Sequence, residues 1–351
     1  MMTLADVATP LAAPTVLDSW IDEPKSIEQA FRRYCGSTAG PVVQPKWLTS
    51  LLSQISAKVA SQWEVGSDGN VARNQRQSLC YWQLTSWMRR RRVAEATAAG
   101  SSAPPEVTVC EVGFNAGHSA AVFLSALNHS RGLYYGFDVA SDRFLARAVP
   151  LLNGTLFPGR LRLTLGESNL SVPLFFASHP SVACDVVSID GNHNIMYVKA
   201  DWTNLKRRLR PGGLVLLDDV PFWSRMFIRG KAIYEPELHM VGCVSLPGRA
   251  DDEESISNYV QQVRQGKRNA SLDHHQHRWG HSMVASDGFC IGRRTTAEDD
   301  RHAWVTMPPR RETVRHAESG RGSDEGKASK GGLASSGGEQ WFETHTNEIV
   351  A

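Results

Sequence analysis

The chain has 351 residues, 41% of them hydrophobic, and a formal charge of +2 at neutral pH. That length allows one large domain or two small ones with an ample core, and the balanced charge excludes a bulk field that would draw nucleic acid or an anionic membrane. No apolar run approaches the roughly 20 residues a membrane helix needs, and the first twenty residues fit neither a secretory nor a transit peptide, with Asp6 and Asp18 but no Arg or Lys.

Residues 1–25 are rich in Ala, Pro and Thr without periodicity and read as a loose arm. A helical extension is expected over 26–105. Within it, 26–35 and 47–63 have helical spacing, the second through Leu48, Leu51, Leu52, Ile55 and Val59. A third helix over 75–98 carries Leu79, Trp82, Leu84 and Met88, and the cluster Arg89 to Arg92 reads as its solvated, dipole-favoured end. The six cysteines, Cys35, Cys80, Cys110, Cys184, Cys243 and Cys290, are scattered and form no CxxC pair. Free thiols and a reduced, cytoplasmic setting are expected.

From 106 strand and helix alternate. Strands are expected at 107–112, 133–137, 161–165, 185–189 and 214–217, and helices at 118–128, 142–152, 172–177 and 196–209. The 172–177 helix is interrupted at its start by Pro173, and Pro211-Gly212-Gly213 stops the 196–209 helix. Such alternation dictates an α/β fold with a Rossmann-like, doubly wound parallel sheet. Two further strands, 239–246 and 288–293, lack a crossover helix and read as an antiparallel pair at one edge, giving seven strands with the last antiparallel. The domain would then span 106–294, with a long insertion at 247–286. From 295 to 351 Gly, Ser, Glu, Lys and Arg dominate, a composition that predicts disorder.

Chemistry gathers at the expected strand ends. Glu111-x-Gly113-x-x-x-Gly117 follows a strand and opens a helix, so backbone amides there can face a ligand. Phe114 and Asn115 fill that turn; the dinucleotide fingerprint wants glycine at 115. Asp138 closes the second strand, where an acid can accept ribose hydroxyls, and Glu167-Ser168 closes the third. Asp190 ends the fourth strand, and Asp218-Asp219 the fifth. Three acids in one crevice repel unless a cation neutralises them, and all-oxygen ligands favour a hard ion such as Mg²⁺. His193, three residues past Asp190, can take a proton near neutral pH. Asp201 and Lys199 read as surface residues. Phe222, Trp223, Met226 and Phe227 read as pocket or core. The run His274, His275, His277 and His281 reads as incidental.

The glycine turn resembles motif I of class I S-adenosylmethionine-dependent methyltransferases. Asp190-Gly-Asn-His193, an amphipathic helix, Arg210-Pro-Gly-Gly-Leu and Leu217-Asp-Asp-Val220 together resemble the metal-dependent small-molecule O-methyltransferases, of the catechol and macrolide-sugar types. The resemblance covers about 107–220. It implies S-adenosylmethionine at Glu111, Gly113, Phe114, Asn115, Gly117, Asp138, Glu167, Ser168 and Asp190. It further implies a divalent ion, Mg²⁺ by preference, on Asp190, Asp218 and Asp219, with His193 and Asp190 as catalytic groups acting on a small-molecule hydroxyl. No nucleic-acid or membrane partner is expected. The alternatives are a metal-independent methyltransferase and a silent S-adenosylmethionine-binding module.

Overall fold

The run Thr-Val-Cys-Glu-Val forms the central strand β1 (Thr108–Val112), buried throughout because both of its faces are covered, Thr108 and Glu111 included. The structure is a computed structural model; it describes residues 24–35, 44–59, 74–103, 105–127, 131–139, 144–192, 195–218, 238–245, 288–295 and 348–349. The remaining parallel strands are β2 (Leu133–Asp138), β3 (Leu161–Leu165), β4 (Cys184–Ile189) and β5 (Leu209–Leu217). At one edge β6 (Leu238–Ser245) and β7 (Gly288–Arg294) run antiparallel to each other, and β7 inserts between β6 and β5. At the other edge the two-residue β8 (Glu348–Ile349) pairs antiparallel with β3. The order is β6-β7-β5-β4-β1-β2-β3-β8. This is the expected doubly wound sheet with an antiparallel edge, plus an eighth strand drawn from the stretch read as disordered.

Helices clothe both faces. On one lie α1 (Ile27–Tyr34), α2 (Lys46–Val59), α3 (Gln75–Ala98), α4 (His118–Ala126) and α5 (Leu145–Val149), the last running on as a π-helical turn, Pro150–Leu156. On the other lie α6 (Ser168–Ser178) and α7 (Ile195–Lys206). The first face therefore takes the extension into its core: Leu48, Leu51 and Ile55 of α2 and Leu84 and Met88 of α3 share one cluster with Val109, Val186 and Leu214 of the sheet. Fully burying such a side chain contributes about 1.5–3 kcal/mol each. Tyr81 of α3 stacks on Phe123 of α4 at 5.7 Å and meets the edge of Phe289 of β7 at 5.3 Å. Ser56 of α2 and His118 of α4 hydrogen-bond at 2.9 Å. Burial lowers the His118 pKa to about 4, so the ring joins the extension to α4 as a neutral imidazole.

Four expectations need correction. Cys35–Cys80 and Cys110–Cys184 are disulfides, joining α1's end to α3 and β1 to β4. Distance along the chain hid partners that the fold brings together, and the cytoplasmic setting inferred from free thiols loses that support. Helix α6 begins at Ser168 and carries Pro173 inside it. A proline there removes one amide donor, while Val172, Phe175 and Phe176 bury against the sheet. Strand β5 begins at Leu209, not after the Pro-Gly-Gly stop: Cys184 faces Leu209 and Val186 faces Leu214, so the surplus residues bulge. Finally, the arginine cluster is not merely a solvated end. Arg92 Nε lies 2.7 Å from the buried Asp185, and Arg91 pairs with Glu95 at 2.8 Å. Among the described residues no helix is long and apolar enough to cross a membrane.

Candidate active site

Because β1 to β5 are parallel, their carboxyl ends open on one side of the sheet, and nearly all the singled-out residues that are described gather there. Gly113 leaves β1 at φ +96°, and a Cβ on it would lie 1.9 Å from the Asp190 carbonyl oxygen. Glycine is demanded here because two strand ends press backbone to backbone, a tighter constraint than access for a ligand. The turn is then pinned from β2. Asp138 Oδ2 accepts from the Phe114 and Asn115 amides, each at 2.9 Å. The Gly113 amide donates to Phe137 O at 2.9 Å, and Gly166 closes β3 by donating to Asp138 O at 2.8 Å. Asn115 holds a left-handed φ of 47°, which its short amide side chain tolerates. Gly117, at φ +77°, opens α4. Phe114 turns its ring into the core beside Tyr134.

Glu111 is fully buried. Its Oε2 accepts from Ser119 Oγ at 2.9 Å and from the Tyr134 hydroxyl. Burial pushes its pKa up to about 7 against the pull of those hydrogen bonds. Its Oε1 has no hydrogen-bond partner, nor has Asn115 Oδ1. Asp201 of α7, expected at the surface, is wholly buried; a Cβ on Gly191 would lie 3.7 Å from its Oδ2. Both its oxygens lack a hydrogen-bond partner, and burial raises its pKa to about 6. Ser168 pulls the other way. Among the described residues, the unpartnered buried carboxylate oxygens are those of Glu111 and Asp201. Acceptors stranded in this way suit a ligand rich in N–H and O–H donors. Glu167 is exposed at the cap of α6, with Ser168 as that helix's first residue.

Asp190 and Asp218 directly follow Ile189 and Leu217, which are register partners on adjacent strands. Their amides donate to Val112 O at 2.9 Å and Ile189 O at 3.1 Å, so the two acids leave the sheet at one level. Both raise the pKa of Tyr81, whose phenol burial has already shifted upward. Asp219, His193, Phe222, Trp223, Met226, Phe227 and the histidine run 274–281 lie outside the described residues. Among the described residues no group of three His, Cys, Asp or Glu converges as a metal cluster.

Sequence reasoning missed Gln77. From the first turn of α3 its Nε2 donates to Asp218 Oδ2 at 2.6 Å and to the Tyr81 hydroxyl at 3.1 Å. A signal was present: Gln77, Ser78, Tyr81 and Thr85 form a buried side of α3 that is too polar for plain packing.

Residues 110–220 match a family described as a methyltransferase domain. The matched segment runs from β1 to the acids after β5, the same span whose strand ends form the site. No curated protein is a significant match to the sequence. Among solved structures, an O-methyltransferase from Bacillus cereus in complex with SAH is similar at 12% identity and TM-score 0.45, over 77% of this chain and 100% of that one. MycE, a methyltransferase of the mycinamycin biosynthetic pathway in complex with Mg and SAH, is similar at 17% identity and TM-score 0.35, over 72% of this chain and 55% of that one. A calicheamicin methyltransferase is similar at 16% identity and TM-score 0.39, over 61% of this chain and 93% of that one. Residues 110–220 thus carry a methyltransferase domain, set on a doubly wound sheet with β7 inserted antiparallel beside β5.

Proposed function

We propose that the enzyme methylates a hydroxyl of a small molecule with the help of a divalent cation. The observation that carries this is the pair Asp190 and Asp218, set side by side at the ends of register-matched strands about 5 Å apart. Acids carried by strand ends at that spacing repel less when a cation lies between them, and an all-oxygen set suits Mg²⁺. Asp219, outside the described residues, would complete the set. A bound cation would lower the pKa of the acceptor hydroxyl and orient it.

The donor fits the stranded acceptors. Glu111 Oε1 and Asn115 Oδ1 would take N–H or O–H groups of its amino acid and ribose parts, with Asp138 beside them. Glu167, Ser168 and the buried Asp201 would surround the base. The sulfonium supplies an already activated methyl group, so the chain's work is mostly to align and to exclude water. His193 would remove the acceptor's proton, and Asp190 would orient it.

The test is a methyl-transfer assay over a panel of hydroxylated metabolites, with and without EDTA, beside calorimetry with S-adenosylhomocysteine. Micromolar binding is expected, with activity lost in EDTA and restored by Mg²⁺. Asp218→Ala should remove activity and leave donor affinity within about threefold, and His193→Ala should lower turnover by roughly 10²–10⁴-fold. Full activity in EDTA would sink the cation and leave the metal-independent alternative. Absence of binding at millimolar ligand would remove the donor assignment. Donor binding without transfer to any acceptor would favour the silent module.

A further inference from the structure

We infer that Gln77 is a positioning residue for Asp218, so that the N-terminal extension is a working part of the site. The inference rests on the proposal that Asp218 helps to hold a cation.

The orientation of the Gln77 amide follows from its neighbours. Asn74 Oδ1 accepts from the Gln77 backbone N–H at 3.1 Å, which leaves Asn74 Nδ2 as a donor to Gln77 Oε1 at 3.0 Å. With Oε1 so engaged, Nε2 must face the other way, where the two acceptors stand: Asp218 Oδ2 at 2.6 Å and the Tyr81 hydroxyl at 3.1 Å. The carboxamide is therefore fixed at its oxygen and at both N–H bonds. Gln77 is 5% exposed and Tyr81 2%, so water scarcely competes for these groups. Tyr81 is itself fixed by rings from α4 and β7. The outcome is that Asp218 Oδ2 is held in place by a helix more than a hundred residues earlier in sequence.

A carboxylate so held loses less freedom when a cation binds, and one of its oxygens is placed before the acceptor arrives. This separates Gln77 from a packing residue. Loss of packing would lower stability and donor affinity together, whereas loss of positioning would weaken the cation alone.

The experiment titrates the full chain, saturated with S-adenosylhomocysteine, with Mn²⁺ and follows free Mn²⁺ by electron paramagnetic resonance. Gln77→Met keeps the length and burial of the side chain without its polar groups. It should weaken Mn²⁺ about tenfold in the folded protein, with donor affinity within twofold. Tyr81→Phe, which removes only the second acceptor, should weaken Mn²⁺ about threefold and carries the test if Gln77→Met does not fold. Wild-type Mn²⁺ affinity in the folded variants would overturn the inference, as would a parallel loss of donor affinity. Asp218→Ala tells this failure from failure of the underlying proposal: if it binds Mn²⁺ as the wild type does, or the wild type binds none, the cation assignment falls and the role of Gln77 with it.

Discussion

Asp185, near the amino end of β4, and Glu111 and Asp201, near the carboxyl ends, are all wholly buried acids, yet their surroundings are opposite. Asp185 receives Arg92 Nε at 2.7 Å, Arg210 Nη1 at 3.0 Å and the Thr108 amide at 2.9 Å. Glu111 keeps one oxygen without a partner, and Asp201 keeps two. The amino end is closed chemically, and its charges tie α3, β1, β4 and β5 into one frame. The carboxyl end instead leaves buried acceptors without a hydrogen-bond partner among the described residues, and it is there that the proposed site lies.

The largest break in that contrast is Asp185→Ala. It removes the buried acceptor shared by two guanidinium groups and the Thr108 amide, and breaking a buried pair from one side is costly even though Arg92 keeps Glu95. Arg210 is 36% exposed and so partly screened, which sets the expected loss at about 3 kcal/mol by urea denaturation. Donor affinity of the folded protein should not change. A loss below about 1 kcal/mol would mean that the amino end is not the frame described.

Glu111→Gln tests the other end, with a pH signature. The pKa of Glu111 is raised from 4.5 to about 7, so between those values the folded state binds more protons than the unfolded one. Its contribution to stability is full below 4.5 and is lost as pH rises through about 7. Removing the charge should therefore leave stability at pH 5 little altered and raise it at pH 8 by about 2–3 kcal/mol relative to the wild type. Equal effects at the two pH values would contradict the assignment of a stranded, ionisable oxygen.

The smallest effect is expected from truncation after Thr295. It removes β8, which contributes only two register pairs to the edge of β3. Stability should fall by no more than about 1 kcal/mol, and donor affinity should hold within twofold. A drop of several kcal/mol would show that the tail is part of the frame.

The frame was largely legible in the sequence because it rests on local signals. Apolar runs closed by Gly113, Asp138, Gly166, Asp190 and Asp218 gave the strands, and the periodicity of Leu48 to Val59 gave α2. That Asp138, Asp190 and Asp218 gather at one end of the sheet was legible for the same reason, since a parallel sheet collects its carboxyl ends. What stayed hidden depends on juxtapositions with no local trace. Gln77 meets Asp218 from another layer of the fold, and Cys35 meets Cys80 across two helices. Asp201 misled because its flanks, Lys199 and Thr203, are exposed. Only the close approach of the Gly191 loop reveals that its own side is covered.

The insertion of β7 between β5 and β6 bears on how the protein is made. During synthesis the ribosome delivers α1 to β5 long before Gly288–Arg294, so Leu214 to Leu217, central in the finished sheet, begin as an open apolar edge. Only when β7 has cleared the exit tunnel can Ile291 and Cys290 take their places opposite Leu216 and Leu217. A message truncated anywhere between those two points would release a chain with that edge bare, a template for pairing with other copies. Chaperone demand for this enzyme should therefore concentrate in that one interval of translation.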